Sequence, residues 1–365
     1  MNILHVITHG GWAGSESIAA AIANEQAKNG HKVTVVLRQN KEFSKKVIES
    51  NFEDSIKIFW TAQSETHPSN QINSLLKDDN FVNAVNELNV LHAHLPYGCL
   101  MGDMLKHKLS LNFLIFVSMH VRFHPLYELA DKIFTVAKWQ IEEIPKKHQE
   151  KAHTIENFLF IKEIDTQKKI KLFMRKHHLN DKEKYIFFLG RLDLVKGPDI
   201  LIRAFNRLRP AGYKLVLIGD GPEMSALRKI SSKEIIFAGK ITDAACLLKL
   251  ADITVVPSRF ESFGLALLEA VNANTRIIAS NIPSFTDILS DDKLLYENEN
   301  VNSLSLKIKE YIENPNLGYA DKLILEKYSI SNSYEKLESI YLDQISNTEK
   351  KSNHLESSEH KMEVA

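Results

Sequence analysis

The chain has 365 residues, too many for one ordinary core and suited to two domains of about 150 residues each. Its 44% hydrophobic and 25% charged residues suit a globular protein, and its two cysteines, Cys99 and Cys246, exclude a disulfide framework and fit a reducing, cytoplasmic setting. Lys plus Arg and Asp plus Glu both total 46, so no net field points to nucleic acid or a bulk membrane surface as partner.

Taken in chain order, Met1–Ile7 is a short apolar run without a basic segment before it, which reads as a strand and not as a secretory leader. The strand-like runs of the first half are Asn2–Ile7, Lys32–Leu37, Ile56–Trp60, Val90–Ala93, Phe113–His120 and Lys132–Val136. Helical patterns fill the gaps over Ser15–Asn29, Asn70–Leu88, Tyr97–Lys108 and Lys138–His148. Apolar strands alternating with helices predict βαβ units around a buried parallel sheet. After a polar, Lys-rich stretch over 157–184 the pattern restarts. Strands are expected at Tyr185–Leu189, Lys214–Ile218, Glu234–Phe237, Ile253–Val256, Arg276–Ala279 and Lys293–Tyr296. Helices are expected at Gly197–Arg209, Glu223–Ile230, Asp243–Leu250, Phe263–Asn272 and Val301–Glu313.

The fold class is therefore α/β: two facing Rossmann-like, doubly wound domains over 1–156 and 185–328, joined by 157–184. Ligands of such sheets bind beyond the carboxyl ends of the strands, so the cleft between the domains is the expected site. A last helix over 329–345 is expected to return and brace the first domain. Residues 346–365 are polar without periodicity and are expected to be disordered. The longest apolar runs, such as Phe113–Val117, fall far below the roughly 20 residues a transmembrane helix needs.

Four turns carry the candidate chemistry. Thr8-His9-Gly10-Gly11-Trp12-Ala13-Gly14-Ser15-Glu16 follows the first strand, where glycines let a backbone approach an anion. An unliganded tight turn explains that loop equally well. Gly190-Arg191-Leu192-Asp193-Leu194-Val195-Lys196-Gly197 brings a guanidinium fork and a point charge to a strand end, a pairing suited to a diphosphate. A cation beside a helix N-terminus opposes the macrodipole, and a bound anion would account for it. Gly219-Asp220-Gly221-Pro222 and Phe237-Ala238-Gly239-Lys240-Ile241 end two further strands, where backbone groups could read a base, although Pro and Gly turn chemistry suffices to explain them.

The fourth turn, Ser258-Arg259-Phe260-Glu261-Ser262-Phe263-Gly264-Leu265-Ala266-Leu267-Leu268-Glu269, holds two carboxylates eight positions apart. On one helix they would stand about 12 Å apart along the axis and about 80° apart around it. That exceeds the roughly 5 to 9.5 Å of a glycosidase pair. Glu261 is expected in the loop and Glu269 two turns into the helix, with an anion site at the helix N-terminus between them. Glu269 sits in an apolar run, where a Glu is rarely buried without a partner.

As an ordered set, these motifs resemble the retaining glycosyltransferases of family 4, which have the GT-B fold. Gly190-Arg191 with Lys196-Gly197, Gly219-Asp220-Gly221-Pro222, Phe237-Ala238-Gly239 and Glu261-x7-Glu269 match in order and spacing, and the Gly10–Gly14 loop also looks like that family's. The resemblance implies that Arg191 and Lys196 neutralise the diphosphate of a UDP- or GDP-sugar. It implies that Glu261 holds hydroxyls of the transferred sugar and Glu269 the ribose. Ser262, Phe263, Gly264 and Leu265 would offer donor contacts, Gly190, Gly219, Gly239, Lys240 and Ile241 would lie near the nucleotide, and Gly10, Gly11 and Gly14 would border the donor. His120 corresponds to a His that the family places near the reacting sugar. The implied acceptor is a glycan or lipid-linked sugar, in surface polysaccharide or lipopolysaccharide synthesis.

This chain departs from the family at Asn157-Phe158-Leu159-Phe160, where an N-G-V-D-like turn is usual, and around His120, where Ser118-Met119-His120-Val121-Arg122 lacks an acidic neighbour. No D-x-D sequence follows a strand, so neither a metal nor another cofactor is implied. The basic run Lys168–Lys176 could touch anionic lipid at the inner membrane face, but it reads more simply as a packed, solvated helix. Two other readings are an epimerase acting on a nucleotide-sugar and a non-catalytic subunit of the same fold.

Overall fold

The computed structural model describes residues 1–8, 12–39, 43–160 and 165–363, without the side chains of 351–363. The chain divides into two units, one of Met1–Phe158 with Ile330–Ala365 and one of Leu159–Ser329.

The first unit is built on seven strands: β1 (Asn2–Ile7), β2 (Lys32–Arg38), β3 (Lys57–Thr61), β4 (Val90–His94), β5 (Leu114–Met119), β6 (Lys132–Thr135) and β7 (Ala152–Thr154). All pairs are parallel, in the order β3-β2-β1-β4-β5-β6-β7. Leu4, Val6, Val35, Val36, Val90, Leu91 and Val117 are sealed from solvent. Both faces of the sheet are thus covered, which is why these strands read as continuous apolar runs instead of alternating ones. The order reverses between β1 and β4, the switch point at which a doubly wound sheet opens a crevice at its carboxyl edge.

The second unit repeats the plan with β8 (Lys184–Leu189), β9 (Tyr213–Ile218), β10 (Ile235–Gly239), β11 (Ile253–Val256), β12 (Arg276–Ser280) and β13 (Leu295–Tyr296), again all parallel. Their order, β10-β9-β8-β11-β12-β13, puts the switch point between β8 and β11. The helix Pro198–Leu208 buries Ile200, Leu201, Ala204 and Phe205, and the helix Val301–Glu313 adds Leu304, Ile308 and Tyr311 to the same core. At about 25 cal/mol per Å² of apolar area, such side chains contribute roughly 1.5–3 kcal/mol each.

The terminal helix Ile330–Glu363 belongs to the first unit. Tyr334, Leu337 and Tyr341 are buried there, Ser333 Oγ donates to the Glu156 carbonyl at 2.7 Å, and Glu338 meets His31 at 2.6 Å. Residues 346–363 are helical, not the irregular tail expected. They contain no Gly or Pro, and a helix already nucleated by a packed segment propagates through Lys, Glu and Leu at little cost.

Other expectations also shift. The helix expected over Asn70–Leu88 is two, Pro68–Leu75 and Asp79–Val85, because the Asp78 carboxylate accepts from the Asn80 amide and starts a new N-terminus. The helix expected over Lys138–His148 is a pair of 3-10 turns divided at Pro145, and β7 was not foreseen. No helix of the described residues is long and apolar enough to cross a membrane.

Candidate functional site

In the second unit, backbone hydrogen bonds lace together the turns at the carboxyl ends of β8, β9 and β10. Gly190 donates to Ile218, Leu192 to Asp220, and Gly219 to Gly239, at 2.9–3.0 Å. Gly219 has φ +148°, and a Cβ there would overlap the Gly190 carbonyl oxygen, so the two turns can approach only because the side chain is absent. Gly190, Gly219 and Gly239 therefore stand in one row, with Lys240 exposed and Ile241 half-buried just beyond.

The loop from Arg191 to Gly197 is folded against the loop after β11. Arg259 N donates to the Val195 carbonyl at 2.8 Å, and Arg259 Nη1 to the Leu194 carbonyl at 2.6 Å. Arg259 also grips Asp199 with both terminal nitrogens, at 2.8 and 2.9 Å. Burial works to raise the Asp199 carboxyl, but the Arg259 hydrogen bonds and charge outweigh it and hold it below its usual range. This brace was not read from the sequence, although Arg259 stands inside the quoted motif.

Held this way, Lys196 Nζ reaches Glu261 Oε1 at 2.6 Å, and Ser258 Oγ donates to the same oxygen at 3.0 Å. The pair is largely enclosed, at 28% and 10% side-chain exposure. Arg191 is exposed and pairs with Asp193, whose other oxygen accepts from the Lys196 amide at 2.9 Å. Each of the two expected phosphate-binding cations thus has a carboxylate neighbour. From the sequence, a bound anion was one reason for a cation here, and a solvated Arg with a Lys in the first helical turn was the other reading. The structure supplies Glu261 instead, and Lys196 precedes the helix, which starts at Pro198 after the left-handed Gly197. Glu261, expected to face sugar hydroxyls, here faces Lys196 and Ser258.

The helix after this loop is Leu265–Ala273, with Gly264 as its N-cap and no side-chain cap. It starts two residues later than expected, since Gly264 is left-handed at φ +113°. The first helical N–H groups have no intrahelical acceptor, and the macrodipole favours an anion beside them. Leu265 supplies the first helical residue, Ser262 is half-buried, and Phe263 is buried edge-on to Tyr328. Glu269 is the fifth residue of the helix, just over one turn in and not two. Among the described residues it has no hydrogen-bond or ion-pair partner, and desolvation pushes its carboxyl up to about 7. A partner had been expected for a Glu in that apolar run.

In the first unit, Gly10 and Gly11 lie outside the described residues. Gly14 opens the helix Gly14–Lys28, whose Glu16 carboxylate accepts from the Ala13 amide at 2.8 Å and from Ser15 Oγ at 3.0 Å. His120 follows β5 and is buried. Burial pushes its imidazole down to about 4, with the Glu16 charge pulling the other way. Glu16 therefore supplies the acidic neighbour that His120 lacks in sequence, a proximity no local motif could reveal. Behind His120, three further histidines, His5, His92 and His94, are sealed from solvent. Next to His94, Leu95 has φ +78° and ψ +164°, a region that is essentially glycine-only and costs roughly 1–3 kcal/mol. Such strain concentrates at functional sites, and this one lies at the β1/β4 switch point.

Two parallel, doubly wound units of this kind define the GT-B class. Solved structures show the same fold: Anabaena HepE in complex with UDP has a TM-score of 0.76 at 15% identity, covering 94% of this chain and 100% of that one. Sucrose-phosphate synthase from Thermosynechococcus elongatus has a TM-score of 0.74 at 17% identity, covering 94% and 99%. The sequence profile of the family Glycosyl transferases group 1 matches residues 169–336, a little under half of the chain. An uncharacterized glycosyltransferase of Methanocaldococcus jannaschii is 30% identical over 188 residues, 46% of this chain and 47% of that protein. A GDP-mannose-dependent phosphatidylinositol dimannoside mannosyltransferase of Mycobacterium tuberculosis is 34% identical over 125 residues, 33% of each chain. The chain thus spans about half or less of the length of these two curated relatives.

Proposed function

We propose that this chain transfers a sugar from a nucleotide-diphosphate-sugar to a glycan or lipid-linked acceptor, with retention of configuration. The observation that carries the reading is the enclosed Lys196–Glu261 pair at the β8/β11 switch point, in the same turn that leads into an uncapped helix N-terminus. A diphosphate entering there would draw Lys196 away from Glu261 and gain the helix amides as donors. The freed Glu261 carboxylate would then accept from sugar hydroxyls. Glu269, with no partner among the described residues, would accept from the ribose. Arg191 would stabilise charge growing on the leaving phosphate, and that phosphate would help deprotonate the acceptor on the same face of the sugar. No cofactor or metal enters this scheme.

The donor would be a UDP- or GDP-sugar, in line with the UDP in the HepE crystals and the GDP-mannose named for the mycobacterial relative. Synthesis of a surface polysaccharide or lipopolysaccharide on the cytoplasmic side of the membrane is the setting that suits such an acceptor.

The test combines binding with turnover. One of UDP, GDP or ADP should raise the thermal midpoint, since a ligand that binds only the native state stabilises it by about 2.7 kcal/mol at 100 times its Kd. Lys196→Ala should abolish that shift and lower transfer by at least about 100-fold, the loss typical of removing one charge-stabilising donor. No shift with any of the three, or undiminished turnover in Lys196→Ala, would remove the reading. Conversion of a nucleotide-sugar with no acceptor present would favour an epimerase instead.

A further inference from the structure

The buried histidines of the first unit form a chain that the donor site does not use. His5 Nε2 lies 2.6 Å from Gln26 Oε1, His5 Nδ1 lies 3.0 Å from His94 Nε2, and His94 Nδ1 lies 3.1 Å from His120 Nε2. Gln26 and all three rings are buried. Burial holds each ring neutral at pH 7.

A neutral imidazole has one N–H and one bare nitrogen. Each link of the chain therefore needs a donor on one side and an acceptor on the other. The Gln26 carbonyl can only accept, so His5 carries its proton on Nε2 and presents a bare Nδ1. His94 must then be protonated on Nε2, which leaves its Nδ1 to accept from His120. His120 is protonated on Nε2 in turn, and its Nδ1 keeps a lone pair with no partner among the described residues. Beside this chain, the Tyr341 hydroxyl lies 2.6 Å from His92 Nδ1 and His92 Nε2 lies 2.8 Å from Ser118 Oγ, while the Gln26 amide nitrogen is buried with no hydrogen-bond partner among the described residues.

A metal ion is the competing explanation, because ring nitrogens of His5, His92 and His94 lie within 4.8 Å of one another. The rings of His92 and His94 are stacked, however, with centroids 4.4 Å apart and planes at 25°. Imidazole ligates in its ring plane, so the lone pairs of stacked rings run side by side and do not converge. Both His92 nitrogens also have hydrogen-bond partners already.

We propose that Gln26, His5 and His94 are positioning residues that lock His120 in the Nε2–H tautomer and keep its Nδ1 as a fixed acceptor for a hydroxyl group at the carboxyl end of β5. That the hydroxyl belongs to a sugar rests on the transferase reading; the tautomer does not.

The test is a long-range 1H–15N correlation spectrum of the imidazoles in the 15N-labelled full chain at pH 7. It is recorded without nucleotide or sugar, with signals assigned from variants such as His120→Gln. His5, His94 and His120 should each show a protonated Nε2 and a bare Nδ1. A protonated Nδ1 or an imidazolium at His120 in the unaltered protein would overturn the proposal. In Gln26→Met the chain loses its terminal acceptor, and His120 should populate both tautomers. An unchanged Nε2–H signal in a Gln26→Met protein with native tryptophan emission would also overturn it. One equivalent of Zn²⁺ should move none of these signals, whereas joint loss of the His5, His92 and His94 signals would establish a metal centre instead. The sample holds no donor, so failure here leaves sugar transfer untouched, and the converse holds.

Discussion

Glu269 is the residue whose environment departs furthest from what its neighbours in sequence suggest. It sits among Leu267, Leu268, Ala270 and Val271, with no partner among the described residues, and desolvation lifts its carboxyl to about 7 from 4.5. The sign follows from proton binding. Between pH 4.5 and 7 the unfolded chain has released this proton while the folded one still holds it, so stability falls as pH rises and the full cost applies above pH 7. Glu269→Gln should raise the unfolding free energy of the second unit by about 1–3 kcal/mol at pH 8 and by little at pH 4. Urea titrations at both values check this, and an equal gain at both would show that desolvation of the charge is not the cause. A half-buried carboxylate with no partner among the described residues has a reason to persist if a ligand hydroxyl completes it, which ties the stability cost to the proposed ribose contact. Lys196 and Glu261 were both legible as candidates from their types and spacing. That they contact each other was not, because 65 positions separate them and only folding brings the two loops together.

At the scale of elements, the site is a set of loops cross-tied at the end of one sheet. Gly197 is the pivot of the Arg191–Gly197 loop, with φ +68° and no room for a Cβ against the Pro257 carbonyl oxygen. Gly197→Ala is therefore strained twice, in its own backbone and against the turn after β11. It should destabilise the second unit by about 1–3 kcal/mol or more and disorder the Lys196–Glu261 pair. The expected readout is a lower urea midpoint together with loss of the nucleoside-diphosphate thermal shift; a normal midpoint with normal binding would refute the pivot role. Strands were well legible at this scale: β1 and β11 fall where the apolar runs put them, and most others lie within one or two residues. Helix ends were less so. The break at Asp78 and the start at Leu265 depend on a cap and on a left-handed glycine, and periodicity is blind to both.

At the scale of the whole chain, the two units differ in what acid does to them. The first holds four buried, neutral histidines, His5, His92, His94 and His120, with His5 and His120 pushed down to about 4. Below pH 6.5 the unfolded rings take up protons that the folded rings refuse, so stability is lost as pH falls from about 6.5 toward 4. The slope is up to about 1.4 kcal/mol per pH unit for each ring. The protein carries its own reporter, since all three tryptophans, Trp12, Trp60 and Trp139, lie in the first unit. Tryptophan emission should show a midpoint that drops steeply between pH 7 and 5, while a nucleotide-dependent transition of the second unit moves much less. Parallel movement of the two would mean that the histidine cluster does not govern acid sensitivity.

By itself, the sequence determined the alternation of buried strands and amphipathic helices, and hence a repeated α/β plan with catalytic-type residues at strand ends. Those are local properties, set by side-chain period and turn chemistry within a few residues. Only the tertiary structure decided which charges neutralise which, that Glu16 stands beside His120, and that Gln26, His5 and His94 line up behind it. These relations join residues from about twenty to more than a hundred positions apart, on strands, on the helix Gly14–Lys28 and in the loops that follow strands. Their energies depend on burial and on distances that no window of sequence contains.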